Sequence, residues 1–169
     1  MNRPAARLNF AASLIHAAVT TVFNRVLMVC AGNICRSPTA EHLLRYELTD
    51  SGVHVSSAGL TALVGRPLEA RALATLQRHG QQPQEHHARQ LTAELLQAAD
   101  LVLAMEQRHL QDIFRQFPES RGKTFLLGKW QHDREIPDPY RQSDAAFEHA
   151  YALIAQDAAA WAKRIRPAR

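Results

Sequence analysis

From Arg25 onward the apolar positions follow two alternating rhythms: short unbroken runs, and longer stretches with repeats at three and four. "RVLMVC" (Arg25 to Cys30) is the first run, and its length and the glycine-containing loop after it predict a fully buried strand. Ser37-Pro38 reads as the N-cap and first position of a helix, with Glu41 in its first turn and Leu43, Leu44 and Leu48 as its buried stripe. "GVHVSSAG" (Gly52 to Gly59) alternates apolar and polar residues and predicts a second strand. A helix is expected from Pro67 through His79 with Gly80 as its stop, and a shorter one over Thr92 to Ala99 capped by Thr92.

"DLVLAM" (Asp100 to Met105) predicts the third strand, followed by a helix over Glu106 to Phe117 that Pro118 ends. "KTFLLG" (Lys123 to Gly128) predicts the fourth strand, and "KWQHDREIPDPYRQSD" after it has no period and reads as a long, functional loop. Phe147, Tyr151, Ile154, Ala158, Trp161 and Ile165 then mark one face of a last helix, started by Ser143 or Asp144, with Pro167 beyond its end. Strands alternating with helices predict an α/β fold. The expectation is a single-domain parallel sheet of about four strands, flanked by helices on both faces, with a phosphate-binding loop after the first strand.

Composition narrows the classes. The chain has 169 residues, 46% of them hydrophobic and 21% charged, which suits one domain with its own core. Its net charge of +4 comes without any Lys/Arg block, so nucleic acid is not an expected partner, while an anionic ligand such as phosphate is favoured. Two cysteines build no disulfide framework and complete no zinc site of common spacing, and no metal is expected. Such sparse cysteine usage suits a cytoplasmic protein. "MNRPAARLNFAASLIHAAVTTVF" superficially resembles a secretory signal, but Ser13, His16, Thr20 and Thr21 break its apolar run and it is too short to span a membrane. Residues 1–22 are expected to be a dispensable or disordered extension, with Val22 as a candidate start, and residues 23–169 to form the domain. No stable membrane insertion is expected.

Both cysteines lie in "RVLMVCAGNICRSPTAE" (Arg25 to Glu41), as a redox pair, metal ligands, or one nucleophile beside a bystander. A loop of Cys30, Ala31, Gly32, Asn33, Ile34, Cys35 and Arg36 between a strand and a helix aims successive backbone N–H groups at one point, helped by the positive end of the helix. That is an anion cradle, and the planar fork of Arg36 can close it on two phosphate oxygens. Cys30, at the strand end, would lie beneath the cradle, where the same N–H groups favour its thiolate and Ser37 can donate a hydrogen bond to sulfur. A thiolate under a phosphorus held by Arg36 is placed for in-line attack. C-x5-R alone is a weak signal; its place between strand and helix gives it force. Asp138, in the long loop, is either a turn former before proline or a proton donor to a leaving group.

"VCAGNICRSPTAE" resembles the phosphate-binding loop of the low-molecular-weight protein-tyrosine phosphatases, whose pattern is V-C-x-G-N-x-C-R-S-P. "SSAG" (Ser56 to Gly59), "HHARQL" (His86 to Leu91) and "DPY" (Asp138 to Tyr140) are similar to the family's other marks, in the same order. The resemblance implies that Cys30 is the nucleophile, Arg36 binds the phosphoryl group, and Asp138 is general acid and then general base. It further implies that Asn33 holds the loop through Ser57 and His86, that Ser37 stabilises the thiolate, and that Tyr140 lines the pocket. No cofactor is implied.

"LTALVGRP" (Leu60 to Pro67) and "EIPDPYRQS" (Glu135 to Ser143) look like the bacterial branch associated with capsular or exopolysaccharide synthesis. That resemblance implies a phosphotyrosine protein as partner, the tail of a membrane tyrosine autokinase, and a monomer or weak dimer. The alternatives are an arsenate reductase on the same fold, which needs two further cysteines, and a thiol redox sensor using Cys30 and Cys35. A catalytically idle phosphotyrosine-binding module is not supported, because Cys30, Arg36 and Asp138 are all present.

Overall fold

The computed structural model describes residues 23–165, so the extension expected over residues 1–22 and the stop expected at Pro167 lie outside the described residues. Four strands, β1 (Arg25–Cys30), β2 (His54–Gly59), β3 (Leu101–Ala104) and β4 (Thr124–Leu126), form one sheet in the order β2-β1-β3-β4. Every pairing is parallel, with Cys30 beside Gly59 and Val29 beside Ala104. The helices are α1 (Arg36–Glu47), α2 (Ala70–Arg78), α3 (Ala93–Ala98), α4 (Gln107–Gln116) and α5 (Asp144–Ile165).

The unbroken apolar run of β1 has its reason in layers on both faces. Val26, Met28 and Cys30 share a core with Leu44 of α1, Leu76 of α2 and Trp161 of α5. Leu27 and Val29 face the other way, onto Leu96 of α3 and Ile113 of α4. Along α5 the expected stripe is buried at Phe147, Ile154, Ala158, Trp161 and Ile165, while Tyr151 is half-buried and stacks on His79 at a centroid distance of 4.0 Å. Trp161 also spends its indole N–H on the Leu127 carbonyl at 2.8 Å, tying α5 to the end of β4.

Several boundaries differ from the sequence pattern, each for a local reason. β2 begins at His54 because Gly52, at φ 76°, still turns the chain. α2 begins at Ala70, three residues beyond Pro67, because the Glu69 carboxylate caps it by accepting from the N–H groups of Arg71 and Ala72. Pro118 opens a 3₁₀ helix over Pro118–Lys123 as well as ending α4.

Edge strand β2 is closed off by side chains. The Val55 carbonyl accepts from Arg45 of α1 at 2.9 Å, and the Ser57 carbonyl accepts from Arg89 Nε at 2.8 Å. Beyond them Gly59 exchanges hydrogen bonds with Arg89 and Leu91. Central strand β1 has β2 on one side and β3 on the other, so its carboxyl end is the crevice where open parallel sheets bind ligands. Among the described residues no helix is long and apolar enough to cross a membrane.

Candidate active site

The loop between β1 and α1 is shaped by Asn33. Its φ of 55° lies in the left-handed region, which asparagine tolerates better than most residues. It is fully buried, with a partner for each polar group of its side chain. Its amide nitrogen donates to Ser37 Oγ and Ser57 Oγ, both at 2.9 Å, and its Oδ1 accepts from the Arg89 N–H at 2.8 Å. Its carbonyl accepts from His86 Nε2 at 2.7 Å, so that ring nitrogen carries the proton. The Ser57 hydroxyl in turn donates to the Glu41 carboxylate at 2.6 Å. At Gly59 a Cβ would lie 2.4 Å from the Ala31 carbonyl oxygen, so the loop rests directly on the backbone of β2.

α1 starts at Arg36, with Cys35 as its N-cap residue and no capping side chain. Ser37 is therefore not the cap expected from its place before proline. It sits in the first turn because its hydroxyl is used elsewhere: Oγ accepts from Asn33 and lies 2.9 Å from Cys30 Sγ. Toward a Cys30 thiolate, which has no proton to give, the hydroxyl is the donor. The uncapped N–H groups of the first turn are thereby left to the loop.

Arg36, 2% exposed, is gripped from three directions. Nη1 donates to the Ile136 carbonyl at 2.8 Å and to the Glu106 carboxylate, while Nη2 lies 3.0 Å from Asp138 Oδ2. Glu106 stands just after β3, where the chain enters α4, and also binds the guanidinium of Arg108. Burial pushes its carboxyl pKa up, but the hydrogen bonds and charges of Arg108 and Arg36 outweigh that and hold it below its ordinary value. The sequence reading missed Glu106. Its only signal was an acid directly beyond a buried strand neighbouring the cysteine strand.

Asp138 reaches the site from the long loop after β4, as its sequence context suggested. The loop is anchored by Arg134, which bonds both oxygens of the buried Asp157 on α5 at 3.1 and 2.7 Å. Gly128 lets the chain fold back closely, since a Cβ there would lie 2.2 Å from the Arg134 carbonyl oxygen. Asp157 is a second supporting residue with no local signal in the sequence.

Cys30, Ala31, Gly32, Ile34, Cys35, Arg36, Asp138 and Tyr140 line one cavity of about 210 Å³, joined by Thr61 and Leu63. Asn33, Ser37, Ser57 and His86 lie behind the loop and hold it. The floor is polar and cationic, and Ile34, Leu63 and Tyr140 make the walls apolar or aromatic. The two buried free thiols are not equivalent. Burial, then the negative charge of Glu69, raises the Cys35 pKa and keeps that thiol protonated, whereas Cys30 faces a hydroxyl donor. An oxyanion in this cavity would meet a guanidinium and a helix N-terminus, with sulfur on one side and a carboxyl on the other.

The family described as "Low molecular weight phosphotyrosine protein phosphatase" matches residues 25–169. The chain is 48% identical over 143 residues to the low molecular weight protein-tyrosine-phosphatase Etp of Escherichia coli K12, covering 85% of this chain and 95% of that protein. Among solved structures, Vibrio vulnificus Wzb in complex with benzylphosphonate superposes with a TM-score of 0.80 at 46% identity, covering 83% of this chain and 98% of that one. The tyrosine phosphatase Wzb of Escherichia coli K30 with sulphate superposes with a TM-score of 0.82 at 42% identity, covering 85% and 99%.

Proposed function

The chain belongs to the low molecular weight phosphotyrosine protein phosphatase family, and from that premise we propose that it hydrolyses phosphotyrosine in proteins through a phosphocysteine at Cys30. The observation that carries this reading is the convergence of Cys30, Arg36 and Asp138 on one cavity with an apolar and aromatic wall. The benzylphosphonate held by the Vibrio vulnificus relative is an aryl-bearing phosphonate of the shape such a wall accepts.

Arg36 and the loop N–H groups hold the phosphoryl oxygens and carry the charge that develops in transfer. Cys30 Sγ attacks phosphorus in line, forming the S–P bond as the P–O bond to the tyrosyl oxygen breaks. Asp138 gives its proton to that leaving oxygen. The same carboxylate then takes a proton from water as the water attacks phosphorus, and the thiolate leaves with the Ser37 hydroxyl to receive its charge. Asp138 is paired with Arg36 at 3.0 Å, so the incoming phosphoryl group has to displace it toward the leaving oxygen.

The chain's relatives include phosphatases named Wzb, Etp and AmsI, and its own 60–67 and 135–143 stretches resemble the branch associated with capsular or exopolysaccharide synthesis. On that basis the proposed substrate is the tyrosine-phosphorylated tail of a membrane tyrosine autokinase, met in the cytoplasm. Arsenate reduction is not favoured, because the sequence holds no cysteine beyond Cys30 and Cys35 to carry a disulfide outward.

The test is turnover of a phosphotyrosine peptide from such a tail, set against arsenate with thioredoxin. Turnover of the peptide alone is expected. Cys30→Ser should be inert, and residual turnover in it would overturn the nucleophile. Asp138→Asn should lose roughly 100-fold with the peptide and less with nitrophenyl phosphate, whose leaving group needs no proton. Equal losses on both would remove Asp138 from the role of acid.

A further inference from the structure

His109 is the one residue among those described whose buried side-chain polar atoms are left without a hydrogen bond: neither Nδ1 nor Nε2 has one. It is 2% exposed, on the buried side of α4. Buried polar groups are nearly always paired, so an orphaned imidazole marks either a cost in stability or a part whose partner arrives later. The position of His109 argues for the second. Nε2 lies 3.6 Å from Glu106 Oε1, the same oxygen that receives Arg36 Nη1 and Arg108 Nη2.

The inference rests on the reading of Arg36 as the phosphoryl-binding residue. In the structure Arg36 faces two carboxylates, Glu106 on Nη1 and Asp138 on Nη2. Once a phosphoryl dianion lies in the cradle and Asp138 has turned to the leaving oxygen, Glu106 and the Ile136 carbonyl alone hold the guanidinium from behind. Glu106 then shares Arg36 with a second anion that repels it. A further donor to the Glu106 oxygen that receives Arg36 would offset that repulsion and keep the carboxylate in its grip. Nε2 carrying its proton needs to close by only roughly 0.5 Å to reach hydrogen-bond distance.

We propose that His109 is a positioning residue for the catalytic arginine, donating from Nε2 to Glu106 as substrate displaces Asp138. It does so as a neutral imidazole. Burial first, and then the positive charge of Arg36, lowers its pKa from 6.5 to about 4, against the opposing pull of Glu106. The charged groups around it are Arg36 from α1, Glu106 and Arg108 at the start of α4, and Asp138 from the loop. A protonated ring would add a cation beside Arg36 and compete with it for Glu106, so the neutral form is the one that serves. No bond is made or broken at His109. It acts through Glu106 on the orientation of Arg36.

Three substitutions separate this role from packing. His109→Gln can place an N–H near the position of Nε2, His109→Asn places one nearer Nδ1, and His109→Phe keeps a ring without a donor. Each is measured for melting temperature, for kcat and KM on a phosphotyrosine peptide, and for competitive inhibition by inorganic phosphate. The expected result is that Asn and Phe lower kcat/KM by about 10- to 100-fold, the worth of one hydrogen bond to a charged group, and weaken phosphate inhibition. Gln should keep at least half of the activity, with no correlation between activity and melting temperature. Equal losses for Gln and Asn, or losses that track melting temperature alone, would overturn the proposal, and so would full activity in all three. If the Phe variant does not fold, the Gln–Asn comparison decides. Cys30→Ser is run beside them: an inert Cys30→Ser with equal losses across the series sinks only the role of His109, whereas an active one sinks the reading of the site.

Discussion

Arg36 holds two carboxylates of unequal exposure, and the inequality divides their work. The Glu106 side chain is 15% exposed and shares its charge with Arg108, so it is a fixed anchor. Asp138 is 40% exposed on a loop, so it is the partner free to leave. Glu106→Gln keeps the shape and removes the charge, and it is expected to lower kcat/KM by about 10-fold or more, the scale of a charge-assisted hydrogen bond. Steady-state kinetics on a phosphotyrosine peptide check this, and unchanged kcat/KM would show that Ile136 alone positions the guanidinium. The grouping of Cys30, Arg36 and Ser37 was legible because they lie within one short loop between a strand and a helix. Glu106 was not, because its partner is 70 positions away and a lone Glu after a strand looks like any helix start.

At the scale of elements, the hydrophobic rhythm identified all four strands and the faces of the long helix, and it failed mainly at helix starts. A serine before a proline is a good cap by propensity. In α1 the tertiary demand of Cys30 and Asn33 on the Ser37 hydroxyl overrides that propensity. The acid loop shows the same limit in another form. Its place was legible from its lack of period, but the Arg134–Asp157 tie that fixes it joins two elements 23 positions apart. The Asp157 side chain is fully buried and that of Arg134 is 26% exposed. Asp157→Ala removes the carboxylate that balances the guanidinium and leaves it only Gln156 and the Leu153 carbonyl, and should cost about 1–3 kcal/mol in urea or thermal unfolding. The looser loop should also slow hydrolysis of poor leaving groups more than of nitrophenyl phosphate, since the former depend more heavily on a proton from Asp138. Comparable slowing of both would separate the tie from the acid.

For the molecule as a whole, the same buried imidazole makes stability depend on acidity. The unfolded chain takes up a proton at His109 near its ordinary pKa of 6.5, while the folded chain holds out until about 4. Between those values the unfolded state binds more protons, so stability falls as pH falls through this window and is unaffected by His109 above it. The loss should reach on the order of 3 kcal/mol near pH 4. His109→Gln should flatten the curve between pH 6.5 and 4, measured by urea unfolding against pH, and an equally steep curve in the variant would assign the loss to other groups.

The arginine caps on β2 bear on how a peptide can be read. With the Val55 and Ser57 carbonyls already taken by Arg45 and Arg89, an extended chain adding itself beside β2 would have to displace two arginine side chains. The cavity that holds Cys30 and Arg36 lies instead at the carboxyl end of β1, where a polypeptide would present a side chain rather than a backbone. Recognition of this kind constrains the inserted side chain closely and its neighbours in sequence loosely.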